Sequence, residues 1–267
     1  MSTGRAFITL PGGHRALFLS ETASTNAEAM ALALEGAEPP LWVWAARQTK
    51  GRGRLGRDWD SPEGNLYASL LLRLNCPAHA IGGLPLIAGL AARDAVSSAA
   101  ESVAGRLRLK WPNDIMLDGA KLGGVLIESL VLSGGGRAVV IGTGLNLASA
   151  PSGLNRAVTS LREHGCTIAP EQALTVLAEA SARWLAIWDD GAGFGQIREA
   201  WLSHAVPLGA PISVTLGGEK IAGRFGGLDE TGALRLRKNG AERIITAGDV
   251  AIGWAAPVGK KEATGHE

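Results

Sequence analysis

Short β-rich runs alternating with alanine-rich helical runs predict a mixed α and β chain that closes with a small all-β module. Composition supports a folded globule: 46% of the 267 residues are apolar and 19% are charged, which excludes a disordered or fibrous chain. The length suits one large domain, or a large one and a small one. The texture changes at Pro207, after which short alternating runs are punctuated by glycine.

Ala16 to Ser20 reads as a short strand, and Thr25-Asn26-Ala27-Glu28 has capping-box spacing ahead of a helical run. Leu41 to Arg47 and Asn65 to Leu74 read as buried strands separated by a basic, glycine-rich loop. Ile81 to Ala100 reads as a long helix with Pro85 near its first turn. Leu107 to Trp111 is a strand stopped by Pro112, and Ile115 to Val131 a hairpin turning near Asp118-Gly119. Ala138 to Ala148 reads as an apolar strand broken by two glycines. Helices are predicted from Pro170 to about Trp188 and over Phe194 to His204. The runs ISVTLGG, KIAGRFGGLD, GALRLRK and ERIITAGDVAI make up the β-module, and the tail GKKEATGHE is expected to fray.

Charge and cysteine usage narrow the classes. Lys and Arg total 26 against 25 Asp and Glu, a net charge of +1, which excludes a globally basic nucleic-acid binder but leaves room for a local basic patch. Cys76 and Cys166 cannot form a disulfide framework or a four-cysteine zinc site, and the five histidines lack metal-ligand spacing. The opening MSTGRAFITLPGG lacks the apolar run of a secretory signal, so a reduced cytoplasm is the expected location.

Four segments can carry chemistry. Gly51, Gly53 and Gly56 satisfy G-x-G-x-x-G, but loop-forming residues follow where a dinucleotide fold needs a helix, and no Gly-Lys-Ser/Thr marks a P-loop. What remains is a loop with Lys50, Arg52, Arg54 and Arg57 interleaved with glycine; guanidinium forks and backbone amides there suit a phosphate or carboxylate. A merely solvated basic loop is the plainer reading, and the glycine spacing between two strands favours anion binding. The second segment sets Lys110, Asn113, Asp114 and Lys121 at strand ends and turns, where strand-edge solubility and turn chemistry are alternatives. The third, Gly142 and Gly144 at alternate positions, leaves one strand face bare for a flat ligand; a β-bulge or close strand packing is the plainer reading of this motif by itself. The fourth, Ser24-Thr25-Asn26, serves as a helix cap or as a polar contact for a small ring system. Of the eight tryptophans, Trp59 and Trp111 lie inside these motifs and are candidate pocket walls.

In this order the segments resemble the biotin–protein ligases. The residues that carry the resemblance are STN (Ser24 to Asn26), Q-x-x-GRGRLGRDW (Gln48 to Trp59), KWPND (Lys110 to Asp114), KLGGVLIE (Lys121 to Glu128) and GTGLN (Gly142 to Asn146). The resemblance implies an α+β fold: a mixed-sheet catalytic domain of the biotin/lipoate ligase, class II synthetase-like type over 1–206, and a small SH3-like β-barrel over 207–267. The polar triplet arrives as early as Ser24, which leaves no room ahead of it for a winged helix-turn-helix, so the monofunctional, non-DNA-binding type is implied.

The family's reaction forms biotinyl-5′-AMP from biotin and ATP, then transfers biotin to a carrier lysine. By resemblance, Lys121, Arg52 and Arg54 are catalytic. Ser24, Thr25, Asn26, Gln48, Arg52, Gly53, Arg54, Trp59 and Lys121 hold biotin; Arg57, Asn113, Asp114, Gly124, Gly142, Gly144 and Asn146 line the adenylate site. Magnesium is expected with ATP, its protein ligands being unassigned. The implied partner is the biotin carboxyl carrier protein of acetyl-CoA carboxylase or a related biotin-dependent carboxylase, without nucleic acid or membrane; monomer and homodimer both stay open. Two rivals remain: a lipoate–protein ligase, and a non-catalytic module whose basic loop grips nucleic acid.

Overall fold

The computed structural model describes residues 7–76, 80–133, 135–154 and 156–252, so the GKKEATGHE tail lies outside the described residues. The chain divides into two compact units, Met1–Val206 with Glu230–Gly232, and Pro207–Asp229 with Ala233–Glu267.

The first unit begins with β1 (Phe7–Thr9), β2 (Arg15–Thr22), α1 (Thr25–Leu34), β3 (Leu41–Gln48) and β4 (Leu66–Leu74). It continues with α2 (Leu84–Ala99), β5 (Leu107–Lys110), β6 (Asp114–Leu117), β7 (Ala120–Val131), β8 (Arg137–Leu145), α3 (Pro170–Trp188) and α4 (Phe194–His204). The eight strands form one sheet in the order β1-β2-β3-β4-β8-β7-β6-β5. Only β2 and β3 run parallel, and α1 supplies the crossover that a parallel pair needs. The sheet is therefore mixed and the unit α+β.

Alternation along the strands assigns the two faces. Leu17, Leu41, Val43, Leu71, Ala138 and Val140 pack with Ala29, Leu32 and Ala33 of α1. Leu70, Val139 and Ile141 point the other way and are also buried. That face is covered by α2, which touches β5 to β8, and by α3, which touches β4. The stretch Ala80–Ala99 has the length and apolar composition of a membrane span, yet most of it is buried inside the protein, as a core helix is.

Several expected elements appear within a residue or two, including α3 with Pro170 in its first turn and α4. Asp118 and Gly119 both have positive φ, 48° and 80°, as a two-residue type I′ hairpin turn requires. Three readings need correction. The strand β1, three exposed residues at the sheet edge, carries too little pattern to be read. The capping box at Thr25 is not formed: the N-cap is Ser24, without a side-chain bond, because Thr25 and Asn26 turn to long-range partners. The strand β8 is not broken at its glycines, since Gly142 and Gly144 stay in register with both β4 and β7.

The second unit holds β9 (Pro211–Leu216), β10 (Glu219–Leu228), β11 (Leu234–Lys238), β12 (Ala241–Ile245) and β13 (Asp249–Ile252). They form an antiparallel sheet in the order β12-β11-β10-β9-β13. Gly217-Gly218 and Asn239-Gly240, all with positive φ, make its tight turns. Ile212, Val214, Phe225, Leu228, Leu234 and Leu236 are among its buried residues.

Candidate active site

Sheet register brings the sequence motifs together on the α1 face. One row across the strands reads Lys110, Asp114, Gly124, Gly144 and Tyr67; the next reads Leu126, Gly142, Ser69 and Val43. Lys121 is three residues from Gly124, so simple alternation would turn it to the other face. The register between β6 and β7 slips between Ile115 and Met116, leaving Leu122 as the extra residue. This bulge pairs Lys121 with Met116 and returns it to the Asp114 face.

The three charges then meet. Asp114 Oδ1 accepts from Lys121 Nζ and Oδ2 from Lys110 Nζ, each at 2.5 Å. Burial pushes the Asp114 carboxyl upward, but Lys121 and Lys110 outweigh it and hold the group below its ordinary range. Burial pulls the Lys121 ammonium below the usual lysine range, more than Asp114 restores. Lys121 Nζ also stands 5.2 Å from the centre of the Trp59 ring, a cation–π distance. Gly124 leaves the space for it: a Cβ there would come within 3.1 Å of Lys121 Nζ.

The alternate glycines of β8 clear room for the protein's own side chains, which corrects the picture of a bare floor for a ligand. A Cβ on Gly142 would run into the Asn26 amide, and one on Gly144 would come within 2.9 Å of the Trp59 indole. Asn26 is buried; its Nδ2 donates to Glu128 Oε2 at 2.8 Å and its Oδ1 accepts from Ser69 Oγ at 2.6 Å. Ser69 Oγ also lies 2.8 Å from Thr25 Oγ1. Gln48 Oε1 accepts from the Thr25 backbone N–H at 2.8 Å and its hydroxyl at 3.2 Å, while Gln48 Nε2 donates to Ser61 Oγ at 3.0 Å. Thr25, Asn26 and Gln48 thus share one polar network, beside the buried Ser24.

The arginine loop reaches toward both groups. Gly51 is close-packed: a Cβ there would strike the Trp59 carbonyl and Ser61 Oγ. The Gly53 N–H donates to the Arg57 carbonyl at 2.7 Å, tying the loop to itself. Arg52 Nη2 pairs with Glu128 Oε1 at 3.2 Å, and Arg54 Nη1 donates to Asn113 Oδ1 at 3.2 Å. Burial draws the Arg54 guanidinium below its ordinary range, with Asp114 partly restoring it and Arg57 lowering it further. Arg57 stands exposed at the loop's end. Asn146 is set apart: its buried amide donates to the Thr159 carbonyl at 3.0 Å and braces the segment whose Ala157 carbonyl accepts the Lys121 N–H.

Sequence reading missed Ser61, Ser69 and the role of Glu128. A lone hydroxyl inside the apolar run LYASLLLRL was the available signal for Ser69. Among the described residues no group of three or more His, Cys, Asp and Glu side chains could hold a metal ion. The arrangement juxtaposes a neutral hydrogen-bonding network with a buried, fixed cationic cluster and two loop guanidiniums. Such an arrangement can hold a polar group beside anions.

Residues 18–146 match the Biotin/lipoate A/B protein ligase family, and residues 208–253 match the biotin protein ligase C-terminal domain. A biotin–[acetyl-CoA-carboxylase] ligase of Paracoccus denitrificans is 43% identical over 241 residues, covering 88% of this chain and 99% of that protein. One of Mycobacterium tuberculosis is 34% identical over 239 residues, covering 87% and 86%. The solved biotin protein ligase of Aquifex aeolicus in complex with biotin and ATP is 29% identical, with a TM-score of 0.73 over 89% of this chain and 97% of that one. Motifs, fold and relatives agree, and the chain belongs to the biotin protein ligase family.

Proposed function

We propose that this chain is an ATP-dependent ligase that activates biotin and attaches it to a carrier protein. The biotin carboxylate oxygen attacks the α-phosphorus of ATP; the bond from that phosphorus to the bridging oxygen breaks, and pyrophosphate leaves. The product is biotinyl-5′-AMP. A lysine amine of the carrier then attacks the anhydride carbonyl, loses its proton, and expels AMP as the amide forms.

The observation that carries this reading is the buried Lys110–Asp114–Lys121 cluster beside a neutral polar network on one sheet face. Two anions must approach each other, and fixed cations oppose their repulsion without reorganising. In this reading Thr25, Asn26 and Gln48, with Ser24 behind them, form the end that takes the ureido head group. Arg52, Gly53 and Arg54 lie over the carboxylate and phosphate, Lys121 stabilises charge at phosphorus, and Trp59 walls the lane. Arg57, Asn113, Asp114 and Gly124 frame the adenylate, Gly142 and Gly144 shape the site by making room for Asn26 and Trp59, and Asn146 supports the strand that carries Lys121. The loop also keeps water from the anhydride. Magnesium would accompany ATP as its counter-ion and would offset phosphate charge.

Residues 1–206 make up the catalytic domain in this reading, and 207–267 an SH3-like C-terminal domain that contacts nucleotide or carrier. The protein acts in the cytoplasm on the biotin carboxyl carrier protein of acetyl-CoA carboxylase or a related biotin-dependent carboxylase, and its reaction needs neither nucleic acid nor membrane. The matched family also contains lipoate ligases, so the test must separate the two acids. With MgATP, biotin and a carrier domain, mass spectrometry should show one biotinyl addition on one lysine. Modification by lipoate instead of biotin would reassign the substrate, and an unmodified carrier would overturn the reading.

A further inference from the structure

We infer that Glu128 is a positioning residue for biotin binding: its carboxylate holds Arg52 and Asn26 in one arrangement. The inference rests on the ligase reading above. Glu128 stands in a register row whose other members are Val140, Leu71 and Leu41, all buried and apolar. Glu128 itself keeps about a third of its side chain exposed, 30%, so the pairing follows from where its partners are placed and not from full burial of the charge. Its partners come from far along the chain. Arg52 Nη2 lies 3.2 Å from Oε1 and 3.4 Å from Oε2, and Asn26 Nδ2 donates to Oε2 at 2.8 Å.

One side chain therefore ties the arginine loop to the first turn of α1. It helps fix which way the Asn26 amide faces: Ser69 donates to Oδ1, while Glu128 at 2.8 Å and the Leu126 carbonyl at 3.4 Å accept from Nδ2. It also holds the Arg52 guanidinium through Nη2. Glu128 lies four residues along β7 from Gly124, about 13 Å by strand rise, and so is remote from the Lys121 cluster. Its loss should act through Arg52 and Asn26, mainly on the grip on biotin, and leave the Lys110–Asp114–Lys121 cluster as it is.

The test combines biotin-dependent pyrophosphate release with calorimetric biotin binding in wild type, Glu128→Gln, Glu128→Asp, Arg52→Ala and the Arg52→Ala/Glu128→Gln double variant, with circular dichroism to confirm folding. Glu128→Gln keeps an acceptor for Asn26 but loses the charge that Arg52 pairs with. Biotin KM and Kd should rise about tenfold while kcat stays within about threefold, the scale of exchanging a charge-assisted hydrogen bond for a neutral one. Glu128→Asp, shorter by a methylene, should show the same split. On the Arg52→Ala background the Glu128→Gln change should add less than about twofold, because its partner is already gone. Unchanged KM and Kd in the folded single variants, or a full tenfold increment on the Arg52→Ala background, would overturn the inference. A wild type that binds biotin yet releases no pyrophosphate would defeat the ligase reading alone, with the binding data still deciding the role of Glu128.

Discussion

The molecule presents positive charge in two ways. Lys110 and Lys121 sit on strands, largely but not fully buried, and share a single carboxylate. Arg52 and Arg54 sit on a glycine-rich loop, more open to solvent, and each is held by a partner distant in sequence, Glu128 and Asn113. Buried strand charges cannot relax, so their field is already in place when charge develops on a substrate. Loop charges are screened and adjustable, which suits capture and release of a ligand. In the proposed reading chemistry falls mainly to the first region and retention to the second.

The sharpest test of that division is Lys121→Ala. Adenylation should fall on the order of 10²-fold or more, the scale of removing one preorganised charge contact, while biotin binding changes little. Stopped-flow pyrophosphate release checks this, and a wild-type rate would erase the distinction between the regions. Next is Gly142→Ala, whose Cβ would displace the Asn26 amide. It should cost about 1–3 kcal/mol of stability, as overpacking does, and raise biotin KM with less effect on kcat. Chemical denaturation and a biotin titration read the two effects separately.

Arg54→Ala should keep the fold and speed dissociation of biotinyl-adenylate roughly tenfold, the loss of about one charge-assisted hydrogen bond. Pulse–chase release of labelled adenylate measures it, and an unchanged off-rate would remove Arg54 from retention. The smallest effect is on acid stability. Asp114 is held below its ordinary value, so its ionised form contributes stability that is present above about pH 4 and is lost as pH falls through its lower folded-state value. Asp114→Asn should therefore show a shallower fall in melting temperature below about pH 4 than wild type. Parallel curves would mean that Asp114 is not held ionised by its lysines.

The same two regions show what the sequence makes legible. Local signals placed α3 and α4, the Asp118-Gly119 turn and the basic loop, because each depends on residues adjacent in the chain. The motifs named the main candidates in both regions. The bulge that turns Lys121 to the Asp114 face was not readable, since it is a property of β6 and β7 together. Glu128 and Ser69 also stayed hidden, because their partners lie 43 to 102 residues away. The glycines of β8 were legible as a bare face but not as the sockets for Asn26 and Trp59, which arrive from two other elements.

The central claim is that this site activates biotin with ATP. Pyrophosphate release with MgATP, measured side by side with biotin, lipoate and octanoate, tests it most directly. Release should depend on biotin and stay at background with the other two acids. Release with lipoate or octanoate in place of biotin, or none with any of the three from folded protein, would contradict it.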